Sequence, residues 1–316
     1  MVQNETRFES HDGTRLFLYH WTADERPRAV LHVVHGMAEH APRYLRLAEK
    51  LAPEGIDVWA ADQRGHGKTA DLSVNDPGKG GLLGHCADKN SFELVTKDIH
   101  ALNGEIRKKT SAPIFLLGHS WGSFIVQNYI EKYSGEKAIS GCILSGAKGP
   151  GDFKIKAGLP FLTILAALRG KREGSKIARA ISDGQYNKPF KPNRSRFDWI
   201  SRDEREVDKY VADPLCGFLC SSGFYRDIAG ILNRVHRPDA LSKIDKGLPV
   251  YIFSGSADPV GGMGSGVTSL VNAYRNLGIS DLEFTLYPGA RHETLNEINR
   301  EEVFDSLLSW INKHCE

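Results

Sequence analysis

The 316-residue sequence is poor in the features that mark secreted or membrane-spanning proteins. Its five cysteines are an odd and scattered set, which favours reduced thiols in a cytosol over a disulfide framework. Its longest apolar run, residues 157–168, is shorter than the roughly 20 residues that cross a bilayer, so no membrane span is expected. The opening MVQNETRFESHDG has no apolar stretch of the kind that precedes a signal cleavage site. Together these absences predict a mature cytoplasmic chain.

The chain also lacks a large excess of either positive or negative charge. Lys and Arg number 41 and Asp and Glu number 39, so the net charge of +2 indicates no nucleic-acid partner. No His, Cys or Asp cluster has ligand spacing, and neither a metal nor an organic cofactor is expected. Cys216 and Cys220 would share one helix face, with no histidine or acidic ligand expected near them. We interpret both cysteines as core residues.

Short β-branched runs alternate with helix-period segments through most of the chain. Residues 7–21 hold Asp12-Gly13 between alternating segments, which predicts an antiparallel hairpin. The later strand runs are residues 29–36, 56–62, 113–119, 138–146, 249–255 and 282–289. Helical periodicity covers residues 44–51, 92–107, 123–133, 267–277 and 301–311. This alternation predicts a mostly parallel sheet with helices on both faces, in which ligands bind beyond the carboxyl ends of the strands.

One long segment breaks the alternation. Residues 150–239 contain no strong strand run, and we predict that they form a helical cap insertion. The remainder, residues 1–149 and 240–316, forms the predicted α/β core. Residues 150–199 contain eleven Lys and Arg against four Asp and Glu, although the whole chain is almost neutral. Beside the apolar run, this charge predicts peripheral contact with an anionic membrane or phosphate head group; a solvated basic face is the alternative.

The stretch LLGHSWGSF (116–124) places Ser120 between two glycines, after a strand run and before a helix. Gly118 and Gly122 permit a sharp strand-to-helix turn, which exposes the serine oxygen above the sheet. The same turn places the Trp121 N–H at a helix N-terminus, where it can donate to an oxygen that gains negative charge. The pattern therefore predicts a nucleophilic serine; a helix-capping serine is the alternative.

A nucleophilic serine in such a turn requires an acid and then a histidine later in the chain. Asp258 follows the run 249–255 and His292 follows the run 282–289, so both are expected at the carboxyl edge of the sheet. Asp245 and Asp281 precede their strands and belong to the opposite edge. His35, His66 and His119 precede the serine and break the order. Ser120, Asp258 and His292 are therefore the predicted triad.

A second oxyanion donor is expected from the turn after an early strand. The segment LHVVHGMAEH (31–40) supplies that turn, and the Met37 N–H is the natural donor. Because the backbone provides the hydrogen bond, His35 is interpreted as an ordinary turn histidine whose ring is satisfied locally.

These motifs together resemble the monoacylglycerol lipase and lysophospholipase family of α/β-hydrolases. The resembling segments are HGMAEHAPRY (35–44), ADQRGHGKT (61–69), GHSWGS (118–123), SGSADPV (254–260) and GARHETLNE (289–297). The likeness covers roughly residues 5–149 and 240–315 and weakens in the cap insertion. It implies the α/β-hydrolase fold, the same triad and oxyanion donors, a structural role for residues 62–67, and an ion pair supporting the oxyanion loop, Glu39–Arg43. Methionine replaces the small residue that this family has after His-Gly, which implies a narrower acyl channel.

The resemblance implies a serine carboxylester hydrolase that acts on lipids with one acyl chain, monoacylglycerols or lysophospholipids. Three alternatives stay open from the sequence. The triad is equally compatible with an acyltransferase and with a serine peptidase or amidase. The third alternative is a non-catalytic ligand receptor on the same fold, although receptors usually lose a triad member.

Overall fold

A computed structural model describes residues 1–22, 26–150, 153–181 and 183–315. Within these ranges the centre of the molecule is an eight-stranded sheet in the order β1-β2-β4-β3-β5-β6-β7-β8. The pairs β1–β2 and β2–β4 are antiparallel, and all the other pairs are parallel. The strands are β1 Val2–Glu9, β2 Arg15–Thr22, β3 Ala29–Val34, β4 Ile56–Ala61, β5 Ile114–His119, β6 Gly141–Ser145, β7 Val250–Gly255 and β8 Leu282–Tyr287. The predicted hairpin and mostly parallel sheet are both confirmed.

Helices cover both faces of the sheet, as its parallel strands require. One apolar cluster includes residues of the helices α2, α3 and α9, and a second cluster on the opposite side includes residues of α1 and α10. The α-helices are α1 Leu45–Leu51, α2 Ser91–Lys109, α3 Trp121–Tyr133, α4 Phe153–Arg169, α5 Lys176–Ile181, α6 Glu204–Ala212, α7 Ser222–Leu232, α8 Pro238–Leu241, α9 Ser265–Leu277 and α10 Arg300–Lys313.

Strand β3 shows why the central strands are mainly apolar. Val30 and Val34 belong to the first cluster, whereas Leu31 and Val33 belong to the second. Successive side chains of a strand point to opposite faces, so a strand covered on both faces has no solvent-facing position for polar residues. The mostly parallel sheet with helices on both faces, expected from the alternation of elements, is thus observed, and it fits the α/β-hydrolase fold that the resemblance implied.

The cap insertion, residues 150–239, lies between β6 and β7 and contributes α4 to α7. Its predicted boundaries stay a prediction, and the second of them falls inside α8. Helix α4 holds the apolar run that the sequence singled out, and it packs against α7. Residues 151, 152 and 182 of the cap insertion and residues 23–25 and 316 of the predicted core lie outside the described residues.

The prediction for Cys216 and Cys220 was partly wrong. Both side chains are buried, as expected of core residues. They do not share a helix face, because the chain from residue 213 to residue 220 is irregular between α6 and α7. Gly217 lies in this segment with φ +60°, a left-handed conformation that interrupts helical geometry. Cys216 also has a histidine and an acid beside it. The side-chain atoms of His40, Asp213 and Cys216 that could ligate a metal lie within 4.8 Å of one another.

Glu131 of α3 is a buried carboxyl group with an unsatisfied oxygen. Its side chain is 5% exposed, and its Oε1 has no hydrogen-bond partner among the described residues. Burial raises the pKa of Glu131 to about 8, although Arg234 and Lys132 act in the opposite direction. The folded protein therefore holds a proton that the unfolded chain releases, and its stability falls as the pH rises from about 4.5 to about 8.

We expect a Glu131→Gln variant to be more stable than the parent at alkaline pH. Gln has nearly the same shape but stays neutral, so the gain in unfolding free energy at pH 9 is on the order of 2 kcal/mol and vanishes near pH 4. Thermal unfolding at several pH values measures this difference, with exposed Glu49→Gln as the matched control. An equal shift in melting temperature at pH 4 and pH 9 would contradict this account.

Candidate active site

Ser120 occupies a sharp turn between strand β5 and helix α3. β5 ends at His119 and α3 begins at Trp121, so Ser120 alone joins them. Its backbone has φ +53° and ψ −120°, a strained conformation for a residue with a side chain. A Cβ on Gly118 would lie 2.5 Å from the Gly122 carbonyl oxygen, and a Cβ on Gly122 would lie 2.2 Å from the Val34 oxygen. The two glycines are therefore sterically required, as the sequence predicted.

Asp258 and His292 meet at the carboxyl edge of the sheet. Asp258 follows β7, His292 follows β8, and His292 Nδ1 donates to Asp258 Oδ2 at 2.9 Å. Both side chains are almost fully buried. Asp258 is held in turn by the Val260 N–H, which donates to Oδ1 at 2.8 Å, and by the Ser254 hydroxyl at 3.2 Å from Oδ2. The carboxylate thus fixes the tautomer and orientation of the imidazole.

The second ring nitrogen of His292, Nε2, is able to accept a proton. Nε2 is buried and has no hydrogen-bond partner among the described residues, while the Asp258 carboxylate keeps the proton on Nδ1. Burial opposes a positive charge on the ring, but Asp258 outweighs burial and raises the pKa of His292 above its ordinary value. Burial likewise opposes the charge on Asp258, and contact with His292 nevertheless lowers the pKa of that carboxyl. This is the electrostatic arrangement of a general base that becomes a stabilised cation.

The turn after β3, residues 36–40, lies against the serine. A Cβ on Gly36 would be 3.2 Å from the Ser120 Cβ. The Gly36 N–H donates to Glu39 Oε1 at 2.5 Å, and Ala38 has φ +53°. Neither the Met37 N–H nor the Trp121 N–H donates to another group within the described part of the chain. Both amides predicted as oxyanion donors are therefore unpaired. We call residues 36–40 the oxyanion turn.

Arg43 joins the oxyanion turn to the loop after β8 that carries His292. It donates to Glu39 Oε2 at 2.8 Å, the ion pair that the resemblance implied. Arg43 also makes a bidentate pair with Glu293, at 2.7 Å and 2.6 Å. Burial disfavours its charge, but the two carboxylates, Glu293 first, raise the pKa of Arg43 well above its ordinary value. Sequence reasoning missed Glu293; its only signal was an acid directly after His292 in the GARHE segment.

The three excluded histidines have other partners. His35 accepts a hydrogen bond from the Gln63 N–H at 2.9 Å and has its Nδ1 at 2.8 Å from the Gly36 oxygen, so its ring is satisfied as predicted. The ring of His66 stacks on Trp121, and His119 has its Nδ1 at 3.1 Å from the Ser145 hydroxyl. Burial lowers the pKa of His119 to about 4, which keeps this neighbour of His292 neutral.

A cavity of about 530 Å³ opens over the serine and extends beneath the cap insertion. Ser120 and His292 both line it, as do Met37 and Trp121. Most of the remaining wall is apolar and comes from the cap insertion, for example Leu162, Phe197, Trp199, Ile228 and Leu232. The volume is in the usual range of roughly 300–1,000 Å³ for ligand pockets, and the lining suits a hydrocarbon chain.

A family model described as serine aminopeptidase, S33, matches residues 25–299. The chain belongs to this family. It is 30% identical to the monoacylglycerol lipase of Mycolicibacterium smegmatis over 99% of this chain and 98% of that protein, and 27% identical to the human monoglyceride lipase over 96% and 88%. In solved structures it resembles a thermostable carboxyl esterase of Bacillus coagulans, determined with glycerol, with a TM-score of 0.89 and 29% identity over the whole of both chains. This chain is a monoglyceride lipase-like α/β-hydrolase and a serine ester hydrolase.

The acidic side chains on the cavity wall of this S33-family chain are paired with a cation of the protein itself. Glu39 and Glu293 line the cavity, but Arg43 holds both carboxylates. Glu39 Oε1 also accepts from the Tyr44 hydroxyl at 3.0 Å and from the Gly36 amide. Both carboxylates that line the cavity are therefore already engaged by Arg43.

Within the described ranges, no helix is both long enough and apolar enough to cross a bilayer. The longest apolar run of the sequence, residues 157–168, lies in α4 of this hydrolase. Pro160 lies inside this helix and has no backbone N–H to donate to the helical hydrogen-bond pattern.

Proposed function

We propose that this hydrolase cleaves lipids with a single acyl chain, monoacylglycerols or lysophospholipids, through an acyl-enzyme on Ser120. The observation that carries the proposal is the state of His292. One ring nitrogen is bound to the buried Asp258, and the other is unpaired in a residue that shares a cavity wall with Ser120. In this proposal Ser120, Asp258 and His292 are the catalytic triad.

The reaction begins when the Ser120 oxygen attacks the ester carbonyl carbon and His292 Nε2 accepts the hydroxyl proton. The carbonyl oxygen becomes an oxyanion, which accepts hydrogen bonds from the Met37 and Trp121 N–H groups. The bond between the acyl carbon and the alcohol oxygen then breaks, and His292 returns its proton to the departing alcohol. Water, activated by the same imidazole, attacks the acyl-enzyme and releases the fatty acid and free Ser120.

Three observations support a single-chain lipid as substrate. The apolar cavity has room for one hydrocarbon chain, and Met37 of the oxyanion turn forms part of its wall. The similar proteins from M. smegmatis and human are named monoacylglycerol and monoglyceride lipases. The Arg43 pairing of Glu39 and Glu293 disfavours the aminopeptidase activity in the family description, because a substrate ammonium would lack its own carboxylate partner.

A hydrolysis panel tests this proposal. We expect release of fatty acid from monoacylglycerols and lysophospholipids of graded chain length, and no release of aniline from an aminoacyl anilide. A fluorophosphonate should label the wild type and leave Ser120→Ala unlabelled. Rapid cleavage of the anilide would indicate a peptidase, and an acyl product on an added alcohol instead of water would indicate a transferase. Absence of labelling in a folded wild type would contradict the proposal and favour a receptor.

We further propose that the cap insertion rests on a membrane surface, from which single-chain lipids are drawn. Helix α4 exposes Phe161, Ile164 and Leu168 by 47%, 59% and 81%, and their spacing places them along one side of the helix. Basic residues, Lys171, Arg172 and Lys176, follow this helix closely in the sequence. Apolar residues beside positive charge are suited to the interface of an anionic bilayer.

Vesicle binding measurements distinguish a surface that contacts membranes from a basic surface that only faces solvent. We expect the chain to bind vesicles of phosphatidylcholine with phosphatidylserine more tightly than vesicles of phosphatidylcholine alone, and Leu168→Asp to weaken that binding. Leu72→Asp, which changes another exposed leucine, one outside the cap insertion that is 62% exposed, serves as the control. Equal binding to both vesicle types would remove the electrostatic part of this proposal, and unchanged binding of Leu168→Asp would remove the apolar part.

A further inference from the structure

Two groups of the cap insertion hold one carbonyl oxygen of the oxyanion turn. The Tyr210 hydroxyl donates to the Ala38 oxygen at 2.8 Å, and the Gly217 N–H donates to the same oxygen at 2.9 Å. Tyr210 lies at the end of α6, and Gly217 lies in the irregular segment that follows. Both lone pairs of the Ala38 carbonyl are thus occupied by donors from a segment 172 residues or more further along the chain.

A third contact joins the same two segments. His40, two residues after Ala38, donates from Nε2 to Asp213 Oδ2 at 2.7 Å. Asp213 lies between Tyr210 and Gly217 in the sequence. Residues 210–217 of the cap insertion therefore hold the oxyanion turn through two hydrogen bonds to the Ala38 carbonyl oxygen and one between the Asp213 and His40 side chains.

The oxyanion turn needs external support because of its conformation. Ala38 is one of the few residues with a side chain and positive φ within the described ranges, at +53°. A left-handed conformation is sterically disfavoured for alanine and persists only where surrounding contacts determine it. Glu39 holds one end of the turn at the Gly36 N–H, and the cap insertion holds the other at the Ala38 oxygen. The unpaired Met37 N–H lies between these two anchors.

Packing makes the anchor on the cap side rigid. The Tyr210 ring is buried, with the Phe197 ring centre at 4.9 Å and the Arg43 guanidinium at 4.8 Å. Gly217 has φ +60°, and a Cβ there would lie 2.7 Å from the Phe197 ring and 3.1 Å from the Tyr210 ring. Because neither donor has room to move independently, docking of residues 210–217 fixes the position of the Ala38 carbonyl in the oxyanion turn.

We infer that Tyr210 is a positioning residue, which holds the Ala38 carbonyl so that the Met37 N–H points at the developing oxyanion. This inference rests on the proposed function. It couples the cap insertion to catalysis: when residues 210–217 are docked, the oxyanion turn is organised, and when they move away, the turn loses two of its supports. Substrate entry through a displaced cap and formation of a competent oxyanion hole are then successive events.

Kinetics of Tyr210→Phe test the inference, because this change deletes one hydroxyl and keeps the packed ring. With p-nitrophenyl butyrate as substrate, we expect kcat to fall about 10-fold with KM little changed, since the lost contact acts on the transition state. The inhibition constant of phenylboronic acid, whose serine adduct is tetrahedral, should rise by the same factor as kcat/KM falls. The matched control is Tyr251→Phe, which removes another buried tyrosine hydroxyl, one that donates to Thr285 Oγ1 at 3.1 Å.

A purely structural role would give a different result. Tyr210→Phe would then lose thermal stability as Tyr251→Phe does and keep the wild-type kcat and boronate inhibition, which would overturn the inference. Asp213→Asn supplies a second variant, expected to lower kcat less than Tyr210→Phe, and a double variant should lose less than the product of the two single losses because both act on one turn. If the wild type neither hydrolyses esters nor reacts with fluorophosphonate, the proposed function is overturned together with this inference. If the wild type is active and Tyr210→Phe keeps its kcat, only this inference is overturned.

Discussion

An Asp258→Asn variant is expected to lose about 10⁴-fold in kcat while keeping its fold. Asp258 Oδ2 accepts a hydrogen bond from His292 Nδ1 at 2.9 Å, and this leaves Nε2 as the base. An asparagine amide in the same place can donate to Nδ1, which moves the ring proton to Nε2, where it blocks proton transfer from Ser120. The measurement is kcat on a soluble ester, with thermal unfolding to show that the variant is folded.

The pH profile provides a second readout of the same variant. In the wild type Asp258 raises the pKa of His292 above its ordinary value, and the neutral imidazole is the active form. The activity of the wild type should therefore fall, as the pH decreases, through a pKa above about 6.5. Loss of the carboxylate should shift this acidic limb to lower pH in the residual activity of Asp258→Asn. Asp245→Asn, at the opposite edge of the sheet, is the control; a comparable loss of kcat there would contradict a specific role for Asp258.

The second large effect concerns stability. An Arg43→Leu variant is expected to lose about 3–5 kcal/mol of unfolding free energy at neutral pH, because it leaves two buried carboxylates without their cation. Glu39 and Glu293 both bind Arg43 and both lie almost wholly inside the protein. Denaturant unfolding measures the loss. The exposed pair Arg237–Asp239 supplies the control, since Arg237→Leu should change stability by less than about 1 kcal/mol.

The loss in Arg43→Leu should also depend on pH in a defined direction. In the wild type burial raises the pKa of Glu39, but Arg43 and the hydrogen bonds from the Gly36 amide and the Tyr44 hydroxyl act together to lower it. The stabilising contribution of Glu39 is therefore present at neutral pH and lost as the solution becomes acidic. Without Arg43, burial dominates, and protonation of Glu39 relieves its repulsion with Glu293. The difference between variant and wild type should therefore shrink toward pH 4. A difference that is constant between pH 7 and pH 4 would show that the lost packing, and not the charge, is responsible.

Local sequence was sufficient to predict the sharp turn at Ser120. The glycines at 118 and 122 are needed because backbone atoms lie within 2.5 Å of where their Cβ atoms would be, and the spacing of glycines around the serine indicated this need although one of the contacting atoms belongs to the distant Val34. The positions of Asp258 and His292 followed from topology, since side chains that come after parallel strands reach the same sheet edge. The structure brings these two residues into hydrogen-bond contact, as that reasoning predicted.

Contacts between distant segments were beyond sequence reasoning. Glu293 is 250 positions from Arg43, and nothing in the local pattern distinguished it from an exposed acid. The residues of the cap insertion that contact the oxyanion turn were not foreseen either, because residues 210–217 form no regular element. For the same reason Cys216 was assigned to a helix face, whereas Gly217 and the preceding proline, Pro214, favour an irregular path there.

The sequence by itself determined the alternation of strands and helices, the serine turn and the chain order of its partners, because each depends on backbone sterics and periodicity over a few residues. Only the tertiary structure decided which carboxylates Arg43 would bind, how the cavity is closed, and that Tyr210 and Gly217 would reach Ala38. Those outcomes depend on how the cap insertion packs across the carboxyl edge of the sheet, and packing is set by the shapes of both surfaces together, which no single segment of the chain encodes.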